Sequence, residues 1–158
     1  MKWFFFYCNG LKKLKLKYNN KIKIIVFGDS SYQNIDLECI GIKWTIEKEK
    51  EVLSSFDIGL MPLKNNEWER GKCGMKALLY MSMSVATVVS PVGVNPDIIN
   101  HGINGFIAHD EDDWINLLSL LIEDTNLRKK LAENGRLKIV SDYSINSYAN
   151  KFNELLGK

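Results

Sequence analysis

Gly71-Lys72-Cys73-Gly74-Met75-Lys76-Ala77-Leu78-Leu79-Tyr80-Met81, continued by Ala86-Thr87-Val88-Val89-Ser90-Pro91-Val92-Gly93-Val94-Asn95-Pro96-Asp97, decides how the chain is read. Apolar residues recur at helical spacing through the first part, the second opens as a buried-strand run, and Gly-bearing turns flank both. The stretch predicts a loop, helix, strand, loop, helix unit. At 100° per residue, Cys73, Gly74, Ala77, Leu78 and Met81 share one face, read as core, and Lys72, Lys76, Leu79 and Met83 share the other. That second face sets two ammonium groups one turn apart at the helix end where N–H groups are unpaired and the dipole is positive. Such an end seats an anion, phosphate above all. Lysines on an outward face are otherwise only solvated, so the surroundings must decide.

Outward from this unit, residues 22–27 become continuously apolar after Lys23, as a parallel strand buried on both faces does, and Gly28-Asp29-Ser30 ends it. A short strand is predicted over 39–44 and a helix over 46–55, capped by Thr45 with Glu47, Glu49 and Glu51 near its positive end. Residues 57–62 read as the next strand and 64–70 as a loop. Asn95 is placed as N-cap with Pro96 as first helical residue, and 106–108 as a last short strand. Asp110 caps a helix carrying Trp114, Leu118 and Leu121, and scaffold helices follow over 125–140 and 144–156. An amphipathic helix over 3–18 comes before all of these. The alternation predicts an α/β fold, a Rossmann-like doubly wound parallel sheet with helices on both faces, in one domain over 1–158. Ligands of such sheets sit beyond the carboxyl ends of the strands, where the turns at Gly28, 62–71 and 90–95 all fall. Because the earliest strand is 22–27 and a helix precedes it, the sheet is expected to lack its first strand. The edge left open favours self-association.

The chain has 158 residues, 46% of them hydrophobic and 25% charged, which suits one folded domain with a continuous core. A net charge of +2 does not point to nucleic acid. Charge is uneven, with seven lysines and no acid in residues 1–28, a pattern of a wet helix face with at most peripheral membrane contact. Cys8, Cys39 and Cys73 are odd in number and widely spaced, which argues against disulfides and zinc and for a reducing cytoplasm. No apolar run reaches the ~20 residues of a transmembrane helix. His101 and His109 stand on turns, so neither a metal site nor a histidine triad is expected. Asp57 and Asp97 read as structural, and Cys73, placed on the core face, as no nucleophile.

Taken together, residues 22–28, 56–63, 71–81, 90–95 and 104–107 resemble the nucleotide-sugar-binding half of the group 1 (family 4) retaining glycosyltransferases, two-domain enzymes of the GT-B fold. The resemblance covers most of the chain. It implies transfer of a sugar from a nucleotide diphosphate sugar to a glycan or lipid acceptor, with no separate cofactor, in the cleft between two Rossmann-like domains. It also implies that Gly71, Lys72, Cys73 and Gly74 form the loop that holds the diphosphate, that Lys76 lies one turn deeper, and that Gly28, Gly93 and Val94 complete the site. Where the wider family carries Glu-x7-Glu, this chain has Gly71 and Leu79. Leucine cannot accept from a ribose diol, a bond worth roughly 1.5–3 kcal/mol, so donor affinity is expected to fall at least tenfold. Ser84 and Ala86 replace the usual Gly and Pro. The N-terminal acceptor-binding domain of a GT-B enzyme is not found in this sequence, so the chain alone is expected to be inactive, and a separate partner would supply that domain. A nucleotide-sugar-binding module without catalysis and an interaction scaffold are the alternative readings.

Overall fold

The computed structural model describes residues 8–157. Its elements run α1 (Cys8–Tyr18), β1 (Ile25–Phe27), β2 (Ile40–Ile42), α2 (Ile46–Ser54), β3 (Ile58–Met61), α3 (Glu67–Arg70), α4 (Met75–Ser82), β4 (Ala86–Val89), α5 (Asn95–Ile98), β5 (Phe106–Ile107), α6 (Glu111–Glu123), α7 (Thr125–Asp142) and α8 (Ile145–Leu155). The predicted first helix is seen from Cys8 onward; its residues 3–7 lie outside the described residues.

β3, β4 and β5 form a parallel ladder with Ile58 opposite Ala86 and Val88 opposite Phe106. β1 and β2 form a second parallel ladder with Ile25 opposite Ile40. The described strands therefore make two sheet fragments, with no ladder joining β1 to β3. β4 is central to the core and buried at every position. Its pleat sends Ala86 and Val88 into a cluster with Leu11, Leu14, Trp114, Leu118 and Leu121, from α1 and α6. Val89 joins Ala77, Met81, Ile98 and Ile99, from α4 and the α5 region, in a second cluster. Helices thus cover both faces, as the strand-helix alternation predicts.

Local chemistry fixes the helix starts. Thr45 Oγ1 accepts from Lys48 N–H at 3.4 Å, Asp110 from Asp113 N–H at 2.8 Å and Ser144 from Ser147 N–H at 3.1 Å. Each such cap contributes about 1 kcal/mol. Asn95 is different. The helix already starts at Asn95, Val94 holds the cap position, and the buried Asn95 amide turns inward to donate to Ser90 O at 3.0 Å.

The lysine-rich α1 is paired within the protein: Lys12 meets Asp36, Lys13 meets Glu111 at 2.8 Å, Lys15 meets Glu38 at 2.7 Å and Lys17 meets Glu123 at 3.0 Å. Exposed pairs add little stability, but they reduce the net positive field this helix could offer to an anionic surface. No described helix is long and apolar enough to cross a membrane. At the other end, α8 leaves Ile145, Tyr148, Phe152 and Leu155 exposed at helical spacing.

Ser84, which leads into β4, has φ 56, the left-handed conformation that glycine takes without cost. Ser84→Gly is accordingly expected to raise stability by about 1 kcal/mol, read as a higher midpoint in urea at unchanged slope.

Candidate functional site

The carboxyl ends of β1, β3 and β4 bring three turns together. After β3, Leu63 N–H donates to the buried Ser90 Oγ at 3.0 Å, tying the β3 exit to the β4 exit. Asn66 caps α3 by accepting from Glu69 N–H at 2.9 Å, so residues read as loop become one short helix. Its signal was present: an Asn followed by Glu67 and Glu69 in the first turn. α3 ends at Arg70, and α4 starts only after Gly74, which has φ +71. Gly71, Lys72 and Cys73 therefore occupy the loop between two helices rather than the first turn of one.

That placement corrects the helical-wheel assignment of Cys73. Its side chain is exposed and lies on the cleft described below, because a residue before the helix does not follow the helix's 100° phase. Gly74, Ala77 and Met81 are buried as predicted. α4 has no side-chain cap, and its first intrahelical bond runs from Leu78 N–H to Gly74 O at 3.1 Å. The amides of Met75, Lys76 and Ala77 precede that bond and make the positive end of the helix.

A cleft of about 1180 Å³ opens beside this end, lined at its mouth by Gly28, Pro62, Leu63, Glu69, Gly71, Lys72, Cys73, Met75 and Lys76. The Gly93-Val94 turn backs the loop. A Cβ at Gly93 would lie 2.8 Å from Arg70 O, and one at Gly74 would lie 3.3 Å from Val94 Cγ2. Gly93 and Val94 thus shape the loop from behind without lining the cleft. Leu79 is half-buried further along α4 and does not line it either.

Sequence reasoning did not anticipate Glu69. Its side chain is 1% exposed, and Lys72 Nζ lies 2.6 Å from Glu69 Oε2. Lys72 is therefore partnered across the loop. Lys76 keeps solvent access, yet crowding by the protein first, and the Lys72 charge second, hold its ammonium below the ordinary lysine value, with Glu69 opposing. Tyr80 also lines the cleft, its phenol pushed up to about 12 by burial. Its ring lies where a side chain at Gly59 would be, 2.3 Å from an added Cβ.

The remaining sequence candidates are structural. His101 Nδ1 accepts from Ile107 N–H at 3.1 Å, closing its turn. Asp57 is paired with Arg128 at 3.4 Å, at the opposite end of β3 from the mouth. Among the described residues, no group of three or more His, Cys, Asp or Glu side chains could hold a metal ion.

A parallel α/β domain with helices on both faces is an architecture of the Rossmann-like class. The family follows from comparison: residues 2–124 match the family described as glycosyl transferases group 1, and the chain belongs to it. Among solved structures, it is similar to the C-terminal domain of LpcC, a glycosyl transferase group 1 family protein of Francisella tularensis. That match has 21% identity and TM-score 0.70, over 88% of this chain and 78% of that domain. HepE of Anabaena, solved with UDP and glucose, gives 15% identity and TM-score 0.73 over 99% of this chain and 46% of its own. TarM of S. aureus, solved with UDP among its ligands, gives 16% and 0.73 over 96% and 32%. The chain thus spans less than half of HepE and TarM. No curated protein sequence matches it. The fold is that of a GT-B C-terminal domain.

Proposed function

We propose that this chain is the donor-binding half of a glycosyltransferase, holding a nucleotide diphosphate sugar for transfer to a glycan or lipid acceptor. The observation that carries the reading is the joint opening of Lys72, Lys76 and the N-terminus of α4 onto one cleft at the carboxyl ends of β1 and β3. In the transfer, the bond from the anomeric carbon to the diphosphate oxygen breaks and one to the acceptor oxygen forms. The acceptor hydroxyl gives up its proton, and the departing diphosphate gains negative charge. Fixed N–H donors and ammonium groups that meet that charge lower the barrier. Gly71, Lys72, Cys73, Gly74 and Lys76 are the residues assigned to it, with Gly28, Gly93 and Val94 around them. Leu79, the position that the resemblance gives to the ribose partner, does not line the cleft and is assigned no contact with the donor.

UDP in the HepE and TarM structures makes uridine diphosphate sugars the first donors to test. The acceptor half is a separate domain in this reading. The exposed Ile145, Phe152 and Leu155 of α8 support an interface with it, because exposed apolar side chains favour association. Contact with a membrane, if the acceptor is a lipid, belongs to that completed assembly at the inner face.

Calorimetric titration with UDP, GDP, ADP and their sugars tests the proposal. Binding of at least one nucleotide is expected, with no sugar transfer by the 158-residue chain alone, since one half cannot hold the acceptor in place. Failure of all nucleotides to bind overturns the donor reading. Robust transfer by the chain alone overturns its being a half.

A further inference from the structure

We infer that Glu69 and Lys72 are an exchange pair: a bound diphosphate draws Lys72 away from Glu69, and the buried carboxylate so uncovered accepts a hydrogen bond from a hydroxyl of the sugar that the diphosphate carries. The inference rests on the donor reading above. It gives the site a means of telling a nucleotide sugar from its bare nucleotide.

The carboxylate is the first observation. Glu69 stands in the first turn of α3, held there by the Asn66 cap, and its side chain, 1% exposed, is part of the cleft wall. Apart from the Lys72 ion pair at 2.6 Å from Oε2, neither oxygen has a hydrogen-bond partner among the described residues. Buried polar atoms in folded chains nearly all have partners, and a carboxylate has room for about four bonds. Mobility is the second observation. Lys72 is 41% exposed and lies on the loop between α3 and α4, so it is the member of the pair that can move.

The neighbours decide what the carboxylate can meet. A divalent cation is disfavoured, because Lys72 and Lys76 stand on the same cleft and repel it. An anion is repelled by the carboxylate itself. A neutral donor remains, and beside a diphosphate that is a hydroxyl of ribose or of the transferred sugar. Lys72 separates these two. During transfer, negative charge grows on the phosphate oxygen that parts from the sugar, so an ammonium that lowers the barrier meets that phosphate. Glu69, within one side chain's reach of Lys72, then lies beside the sugar. With the pair closed, Lys72 covers the carboxylate. With Lys72 on phosphate, Glu69 loses its partner, and a sugar hydroxyl replaces it in a charge-assisted bond, about twice as strong as a neutral one. A bare nucleoside diphosphate opens the pair without replacing the partner, and so binds less well than its sugar conjugate.

The test is calorimetric titration of the 158-residue chain and of Glu69→Gln with pyrophosphate, with UDP, GDP and ADP, and with UDP-glucose, UDP-galactose, UDP-N-acetylglucosamine, GDP-mannose and ADP-glucose. The sugar's contribution is the ratio of the nucleotide Kd to the nucleotide-sugar Kd. In Glu69→Gln, pyrophosphate is expected to bind more tightly because Lys72 is freed. The ratio for the preferred sugar should fall about five- to tenfold, since an amide oxygen makes only a neutral bond. Deoxyfluoro analogues of that sugar should reveal one hydroxyl whose loss weakens binding to the parent and not to Glu69→Gln. In the unaltered chain, the Glu69 carboxyl carbon, followed by NMR, should shift when pyrophosphate is added and shift again between nucleotide and nucleotide sugar. That measurement reads the exchange without needing the variant to fold.

Four results overturn the inference. Equal changes for pyrophosphate, nucleotide and nucleotide sugar in Glu69→Gln mean that Glu69 braces the loop and meets no sugar. A loss that appears already between pyrophosphate and nucleotide means that ribose supplies the hydroxyl. Tighter UDP binding with magnesium in the parent, absent in Glu69→Gln, means that the carboxylate holds a cation. A carboxyl resonance that pyrophosphate leaves in place means that Lys72 stays on Glu69. Any of these with nucleotide still bound removes this inference alone, whereas absence of all nucleotide binding removes the donor proposal and this inference with it.

Discussion

Gly93→Ala is expected to cost about 3 kcal/mol of stability, a drop in Tm of roughly 6–12 °C for a chain of this size. Two penalties coincide at Gly93. Its φ of +60 is disfavoured for any residue with a Cβ, and that Cβ would lie 2.8 Å from Arg70 O and 3.4 Å from Arg70 C and Cα. Every nearby atom is backbone, so no side chain can swing away. Because Arg70 hands the chain to Gly71, relief of the clash must displace the Gly71–Gly74 loop, and under the proposed donor role nucleotide affinity should fall with stability. Gly28→Ala is the matched comparison. Gly28 has φ +128, but nothing lies within 4 Å of its added Cβ, so only the conformational cost applies, about 1 kcal/mol. Thermal melts of the two variants measure the difference. Equal losses would mean that the contact with Arg70 contributes nothing.

Gly93 also shows where sequence reading stops. A Gly in a Ser-Pro-Val-Gly run can be read as a turn, yet the need for glycine there comes from Arg70, distant in sequence and adjacent only once β3 and β4 pair. The same limit explains Cys73. Helical phase carried back to Lys72 puts Cys73 on the core face, whereas the left-handed Gly74 starts the helix late and leaves Cys73 on the loop. The parallel α/β class was legible because apolar runs such as Ala86–Val89 alternate with amphipathic helices, which leaves few topologies. Glu69 was not legible. A glutamate between Trp68 and Arg70 looks solvated in sequence, yet its side chain is 1% exposed.

Lys72→Ala should lower both stability and affinity for nucleoside diphosphate, and the buried Glu69 is the reason for the first loss. Removing one member of a buried ion pair leaves the other charge uncompensated, at about 3–5 kcal/mol when both are fully buried. Lys72 is 41% exposed and Glu69 1%, so water can partly replace the lysine, and about 2 kcal/mol is expected. Loss of a charge-assisted bond to phosphate should weaken diphosphate binding by a further 1–3 kcal/mol, about five- to 150-fold. Lys76→Ala separates the two effects: Lys76 has no ion-pair partner at close range among the described pairs, so its loss should weaken binding with little change in Tm. Glu69→Gln goes the other way. It preserves shape while freeing Lys72 from its competitor, and diphosphate affinity should rise about three- to tenfold, a gain of roughly 0.6–1.4 kcal/mol that added salt shrinks. Titrating pyrophosphate and UDP against the three variants, with melts alongside, reads all of this. If Glu69→Gln binds diphosphate no better than the parent while Lys72→Ala binds it no worse, the Glu69 and Lys72 pair is only a brace for the loop, and the anion is held by Lys76 and the amides of α4.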